Sequence, residues 1–293
     1  MNPALVIEAH GKHPQAVQFT RDGRQLVSAG TDARVRFWSR PDYAPGLVIE
    51  GHEKSVNHLA LDSDETHLAT ASSDGTVRVW SLPLGGHLYT LKGMNGAAFH
   101  PRHAVLATLS AKNKAVFSAT TSGIDLGEEI VADQRLLSLA WSGDGSVLLI
   151  GGSGPIHRFG IEVGKGAVVA HPLPALVGHS AFCTSLRLSP DGRLLASTGG
   201  DGMLRLWSTL DWSQHACFPI VTRGVLQLAW TPDSERIFVS ADHVIHAFRA
   251  ADGQKLERLE LETKGIYGLA VSPDGREFAI ACADGKLRLW NLD

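Results

Sequence analysis

The segment Ala4-Leu-Val-Ile-Glu-Ala-His10 returns 42 residues later as Gly46-Leu-Val-Ile-Glu-Gly-His52. The match continues at the same separation, from Thr31-Asp-Ala-Arg-Val-Arg-Phe-Trp38 to Ser73-Asp-Gly-Thr-Val-Arg-Val-Trp80. A third copy runs from Gly178-His179 to Gly200-Asp-Gly-Met-Leu-Arg-Leu-Trp207, and a fourth ends the sequence at Ala283-Asp-Gly-Lys-Leu-Arg-Leu-Trp290. Self-similarity at such a period outranks every local motif, because each repeat must be one small unit that buries its apolar face only against its neighbours.

Between the clear copies the rhythm persists while the letters drift. Turn signals fall at Arg21-Asp-Gly23, Gly143-Asp-Gly145, Pro190-Asp-Gly192, Pro232-Asp-Ser234 and Pro273-Asp-Gly275, with Ser63-Asp-Glu65 and Pro101-Arg-His103 in the two remaining copies. Each joins two short alternating runs rich in β-branched residues, the signature of a hairpin. Dividing 293 residues by seven copies gives about 42. The repeat is therefore predicted to be four short strands, and the whole chain, residues 1–293, one all-β ring of seven four-stranded sheets. The last copy holds only three strands, whereas residues 4–8 form a strand with no sheet before it. That N-terminal strand is expected to complete blade seven from outside and to hide the edges of an open ring.

The clear copies share a His, a Ser or Thr 18 residues later, an Asp four after that and a Trp six further on. These are His10, Ser28, Asp32 and Trp38; His52, Thr70, Asp74 and Trp80; His179, Ser197, Asp201 and Trp207. With these signatures the chain resembles the WD-repeat (WD40) β-propeller family over essentially its whole length. Ser39, Ser81, Ser208 and Asn291 replace the Asp of the family's Trp-Asp pair. A Ser, a His and an Asp could also suggest nucleophilic catalysis, but three copies on one chain and a Trp in each argue for structural tetrads. In that reading Asp accepts from His, His bonds the hydroxyl and the hydroxyl bonds the indole N–H, so that buried polar groups find partners. In Asp74-Gly75, Asp201-Gly202 and Asp284-Gly285 the glycine supplies the positive φ of a tight turn. The tetrad is broken in the other copies: Ser118 takes the Trp position of copy three, Phe248 follows Asp242 in copy six, and Glu262 stands at the His position of copy seven. Trp141, Phe159, Trp230 and Phe248 are expected to pack these blades.

Other chemistry finds little support. Gly160 to Gly166 is one residue short of a phosphate-binding loop and lacks its Ser/Thr. Gly151-Gly-Ser-Gly-Pro155 is not a nucleophile elbow, since Pro155 replaces the final Gly and no helix follows. Of the 14 histidines, His243 and His246 stand three apart, on opposite faces of a strand, and His100 and His103 flank Pro101 as solvated turn residues. Cys183, Cys217 and Cys282 have no metal-ligand spacing, and Cys183 and Cys282 lie in apolar strand contexts. No metal, cofactor or catalytic constellation is expected. A formal charge of −3, from 27 basic and 30 acidic residues, argues against a nucleic-acid partner. No apolar run approaches a membrane span, and the N-terminus has no leader pattern, so a cytoplasmic protein, monomeric alone, is expected.

Function is then expected on the surface. The resemblance implies a partner-binding top face, supplied in each blade by the residues three and five after the His and one before the Asp. Five after it stand Gln15, Asn57, Asn95, Leu137, Thr184, Leu226 and Tyr267; three after it, His13, Ser55, Arg135 and Phe182 among others. Thr31, Ser73, Gly200 and Ala283 precede the Asp. Blades one to three thus offer polar groups, while Arg135, Leu137, Phe182, Leu226 and Tyr267 form an aromatic, aliphatic and cationic set typical of binding hot spots. The expected function is a non-catalytic scaffold docking a peptide or protein there. The alternative is a propeller enzyme, or one holding a small molecule or metal in its central channel, but the inner ring offers Gln15, Asn57 and Asn95 and no carboxylate.

Overall fold

The strand β1 (Leu5–Glu8) lies antiparallel against the last strand of the chain, with Leu5 opposite Leu289 and Glu8 opposite Lys286. This pairing closes a ring. The computed structural model describes residues 3–110, 112–220 and 227–292, and its strands form seven four-stranded antiparallel blades.

Blade one is β2 (Pro14–Phe19), β3 (Gln25–Gly30), β4 (Val35–Ser39) and β5 (Ala44–Ile49). Blade two is β6 (Val56–Leu61), β7 (His67–Ser72), β8 (Thr76–Ser81) and β9 (Gly86–Lys92). Blade three follows as β10 (Ala97–Phe99), β11 (Val105–Leu109), β12 (Lys114–Ala119) and β13 (Asp125–Val131), and blade four as β14 (Leu136–Trp141), β15 (Val147–Gly152), β16 (Ile156–Val163) and β17 (Val168–Leu176). Blade five comprises β18 (Cys183–Leu188), β19 (Leu194–Gly199), β20 (Met203–Ser208) and β21 (Gln214–Pro219). Blade six comprises β22 (Leu228–Trp230), β23 (Arg236–Ala241), β24 (Val244–Arg249) and β25 (Lys255–Glu260). Blade seven is β26 (Ile266–Val271), β27 (Glu277–Cys282) and β28 (Lys286–Asn291), with β1 outermost.

In each blade the first strand lines a central channel and the second is nearly all buried, as in Leu26 to Gly30 and Leu68 to Ser72. The fourth is mostly exposed, with Lys255 to Glu260 the extreme case. This gradient explains why the second strands read as continuous apolar runs, while the outer strands carry charges that discourage edge-to-edge pairing. Blades three and four depart from the pattern, because β13 and β17 meet in parallel at Gly127 and Val168 and merge the two blades into one eight-stranded sheet.

The core is not one mass but a series of layers, each at a seam between successive blades. Val27, Phe37 and Ile49 of blade one pack on Val56, Leu68 and Trp80 of blade two. The closing seam sets Phe19, Leu26 and Trp38 against Ala279, Leu287 and Leu289. Fully buried leucines such as Leu26, Leu68, Leu106, Leu148 and Leu195 contribute about 1.5–3 kcal/mol each. Among the described residues no helix is long and apolar enough to cross a membrane.

Candidate functional site

Three blades carry a complete polar chain. In blade one the His10 Nδ1 donates to Asp32 at 2.8 Å, the His10 Nε2 lies 2.9 Å from the Ser28 Oγ, and the Trp38 indole donates to that same oxygen at 2.9 Å. Blade two repeats this with His52, Asp74, Thr70 and Trp80 at 2.8–2.9 Å, and blade five with His179, Asp201, Ser197 and Trp207 at 2.8–3.0 Å. Burial holds all three imidazoles below their ordinary pKa, against the raising pull of their Asp partners. They are therefore neutral at pH 7: Nδ1–H donates to the carboxylate and Nε2 accepts the hydroxyl proton. The hydroxyl, wedged between imidazole and indole, is 0% exposed in Ser28, Thr70 and Ser197, so the chain ties a loop to a strand inside each blade. The Asp-Gly turns hold φ of 89°, 71° and 89° at Gly75, Gly202 and Gly285, while Ala33 takes 64° in blade one.

Strand register identifies the equivalent positions elsewhere. Trp38 pairs with Leu26, Trp80 with Leu68 and Trp207 with Leu195; by the same pairing Ser118, Phe159, Phe248 and Trp290 occupy the indole position of the other blades. In blade seven Ile280 stands at the hydroxyl position and the buried Trp290 Nε1 has no hydrogen-bond partner among the described residues. Its indole instead stacks on Phe278 at 5.2 Å, which stacks on Phe238 of blade six at 5.4 Å. A further member escaped the reading of the sequence. An Arg four residues after the Asp bonds it in three blades: Arg36 to Asp32 at 2.7 Å, Arg205 to Asp201 at 3.5 Å and Arg288 to Asp284 at 2.6 Å. The Asp-x-x-x-Arg spacing was present in every clear copy, and in blade seven this pair stands where the His is missing.

Trp141 and Trp230 do more than fill degenerate blades. Each ends an inner strand and donates its indole N–H across a seam to the preceding inner strand, Trp141 to the Ala98 carbonyl and Trp230 to the Arg187 carbonyl, both at 3.1 Å. His100 corrects the expectation of a solvated turn residue. It is 5% exposed, meets Trp141 edge-to-face at 4.7 Å, accepts the backbone N–H groups of Arg102 and His103, and sits 3.1 Å from the Gly145 carbonyl. It does for its turn what Thr20 and Ser142 do for theirs, where a hydroxyl bonds the turn Asp. His243 lies in a turn and only His246 is in a strand. Burial pushes the Cys183 and Cys282 thiols up to about 12 and about 11, leaving them uncharged. Trp212, which had no evident role, lies under the Arg158 guanidinium at 5.0 Å.

The top face, where the turns after the second strands emerge, gathers part of the expected binding set. Gln15, Asn57, Asn95, Leu137, Thr184 and Tyr267 all line the mouth of the central channel. His13, Arg135 and Phe182 stand outside that ring and are exposed, Phe182 at 52%. Leu226 and Gly224 lie outside the described residues. On blade two the Ser55 hydroxyl donates to Asn57, whose amide donates to Ser73. His13 bonds the Ala283 carbonyl of blade seven, and its ring lies 5.9 Å from that of Tyr267. Two members are covered: Ala283 is 8% exposed, and the Thr31 hydroxyl is buried with no partner among the described residues. Leu137 and Tyr267 are half-buried. Among the described residues no three His, Cys, Asp or Glu side chains converge as metal ligands would.

A closed ring of four-stranded blades, three of them tied by a His–hydroxyl–Trp chain, defines a repeat propeller of the Trp-Asp class. The WD40 family model, "WD domain, G-beta repeat", matches residues 1–39, 44–81, 170–208 and 253–291, and the chain belongs to that family. Among curated relatives it is 26% identical over 157 residues to the SIR4-interacting protein SIF2 of Saccharomyces cerevisiae, covering 52% of this chain and 29% of that one. It is 27% identical over 124 residues to the small ribosomal subunit protein RACK1 of Schizosaccharomyces pombe, covering 39% of each. To cell division cycle 20.1, cofactor of APC complex, of Arabidopsis thaliana it is 28% identical over 168 residues, covering 54% of this chain and 36% of that one. The matched region thus spans only about a third of the length of these relatives. The crystal structure of the Cps50 (Swd1) β-propeller domain of Myceliophteria thermophila superposes with a TM-score of 0.85 at 18% identity, covering 99% of this chain and 100% of that one. It shares the fold.

Proposed function

We propose that this propeller is a non-catalytic interaction scaffold that docks a peptide or protein segment on its top face. Phe182 and Tyr267 serve as anchors, Arg135 and Leu137 flank them, and His13, Gln15 and Asn57 form the polar rim. The observation that carries this reading is Phe182, whose ring is 52% exposed beside a channel mouth ringed with amides. A large aromatic left half in water, next to groups that can bond a backbone, is the composition of an interface hot spot. Two relatives are named for protein associations, with SIR4 and with the APC complex, which supports a protein partner for this chain.

The test is a double variant, Phe182→Ala with Tyr267→Ala, compared with the wild type in affinity capture from the native source. The variant is expected to lose the captured partner while its melting temperature stays within a few degrees. Capture that is undiminished in the variant overturns the top-face assignment.

A further inference from the structure

We infer that the central channel is a binding site for a small oxyanion, a phosphate or a carboxylate, held by the guanidinium of Arg187. The channel encloses about 700 Å³ and is lined by the inner strands of every blade. At one level of that lining, register aligns Gln18, Ala60, Ala98, Ala140, Arg187, Ala229 and Ala270. Five alanines keep the space open, and one long cation enters it. The described lining contains no Asp, Glu or Lys, so Arg187 is its single charged side chain. One of its five donors is used by the Leu186 carbonyl at 3.1 Å, and the rest of the planar fork has no partner among the described residues.

The surroundings make that cation seek an anion. Surrounding protein lowers the pKa of Arg187, while the residue itself is exposed to the open channel, where an entering ligand can reach it. Burial, joined by the positive charge of Arg187, pushes His58 of blade two down to about 4, so the two residues sense each other from different walls. His58 is then neutral at pH 7, and its buried Nδ1 has no partner among the described residues. Gln18 adds a carboxamide at the same level of the lining. No acidic side chain of the described lining neutralises the guanidinium, and a two-oxygen anion is the partner that its fork matches best. The indole of Trp230, by bonding the Arg187 carbonyl, fixes the strand that carries the fork.

The site lies inside the channel, independent of the rim residues proposed for partner docking. Inorganic phosphate and, separately, succinate are titrated into the full chain at pH 7.5 and constant ionic strength set with chloride, followed by calorimetry. Saturable binding of phosphate is expected, weakened at least tenfold in Arg187→Gln and less in Arg187→Lys. Saturation by succinate alone supports the site and identifies its ligand as a carboxylate. Should Arg187→Gln not fold, Gln18→Ala replaces it and is expected to weaken binding about threefold. No saturable binding of either anion by the wild type overturns the inference, as does unchanged affinity in the folded variants. The Phe182→Ala, Tyr267→Ala protein is expected to bind the anion normally, which separates this site from the docking surface.

Discussion

The indole N–H of Trp141 reaches the carbonyl of Ala98 in the neighbouring blade at 3.1 Å. Phe117, Leu136, Leu148 and Ile150 are buried in the seam it crosses, which joins two blades that lack the tetrad. A tryptophan on the inner strand thus secures between blades what the His–hydroxyl–Trp chain secures within them.

Trp141→Phe keeps most of the ring volume and removes the donor. It is expected to destabilise the protein by about 1–2 kcal/mol, the cost of an unpaired buried carbonyl, whereas Trp141→Ala should cost about 3–5 kcal/mol through the cavity as well. Urea unfolding of the two variants checks this. A Trp141→Phe variant as stable as the wild type would mean that the hydrogen bond contributes nothing measurable.

Trp290 offers the complementary case, a buried indole whose N–H finds no partner among the described residues, beside Ile280. Ser28, Thr70 and Ser197 supply the missing hydroxyl in their own blades, so each of their alanine variants should cost about 1–3 kcal/mol. Ile280→Thr places a hydroxyl at the equivalent position. Its loss of apolar burial should be offset by about 1 kcal/mol when Trp290 is present and not when Trp290 is Phe. A double-mutant cycle reads that coupling directly; a coupling of zero refutes the assigned equivalence.

Much of this was legible in the sequence because the tetrad and its turn are local devices with fixed spacing. His52, Thr70, Asp74 and Trp80 lie within one repeat, and the turn at Gly75 needs its positive φ regardless of what surrounds it. What escaped was whatever depends on the next blade. The partner of Trp141 is a backbone carbonyl, which carries no residue signature, and His100 is buried by Trp141 from the neighbouring blade. Channel orientation was hidden for another reason. The inner strands carry an irregularity near their start, between Cys183 and Ser185 in blade five and between Val56 and His58 in blade two. An extra residue there shifts the alternation of faces, so Arg187 reads as a strand residue of either face until the register is known.

Acid should weaken the fold in a defined window. Burial, with Lys255 and Arg258 adding to it, pushes His246 down to about 4, and His58 sits at about 4 as well; a histidine in an unfolded chain titrates near 6.5. Above pH 6.5 neither state binds the proton, so the stability is whole. Between 6.5 and 4 the unfolded chain gains protons that the folded chain refuses, and stability falls as pH falls. The urea midpoint should therefore drop from pH 7.5 to pH 4.5, and less steeply in His246→Leu. Asp144 adds nothing in that window: the hydrogen bond from the Ser142 hydroxyl, the main cause, holds it at about 2, so its contribution is lost only below about pH 4. A flat profile from 7.5 to 4.5 would contradict the neutral, buried histidines.

Closure of the ring rests on two sets of contacts at one seam. The β1 strand pairs with β28 over four residues, and nearby the Arg40 guanidinium bonds Glu277 at 2.8 Å while the Tyr43 hydroxyl donates to Glu277 at 2.6 Å. Removing residues 1–8 takes away the first set and leaves β28 an unpaired edge. At about 1 kcal/mol for each ladder hydrogen bond, the loss should reach several kcal/mol, and the bared edge should recruit a second chain. Arg40→Ala, by contrast, removes the ion pairs with Asp274 and Glu277, the bond to the Gly23 carbonyl and the packing over Phe19 but leaves β1 in place, and should cost about 1–3 kcal/mol with no change in mass. Thermal melting and light scattering separate the two variants. A truncated protein that stays monomeric and melts with the wild type would show that the seam packing alone holds the ring shut.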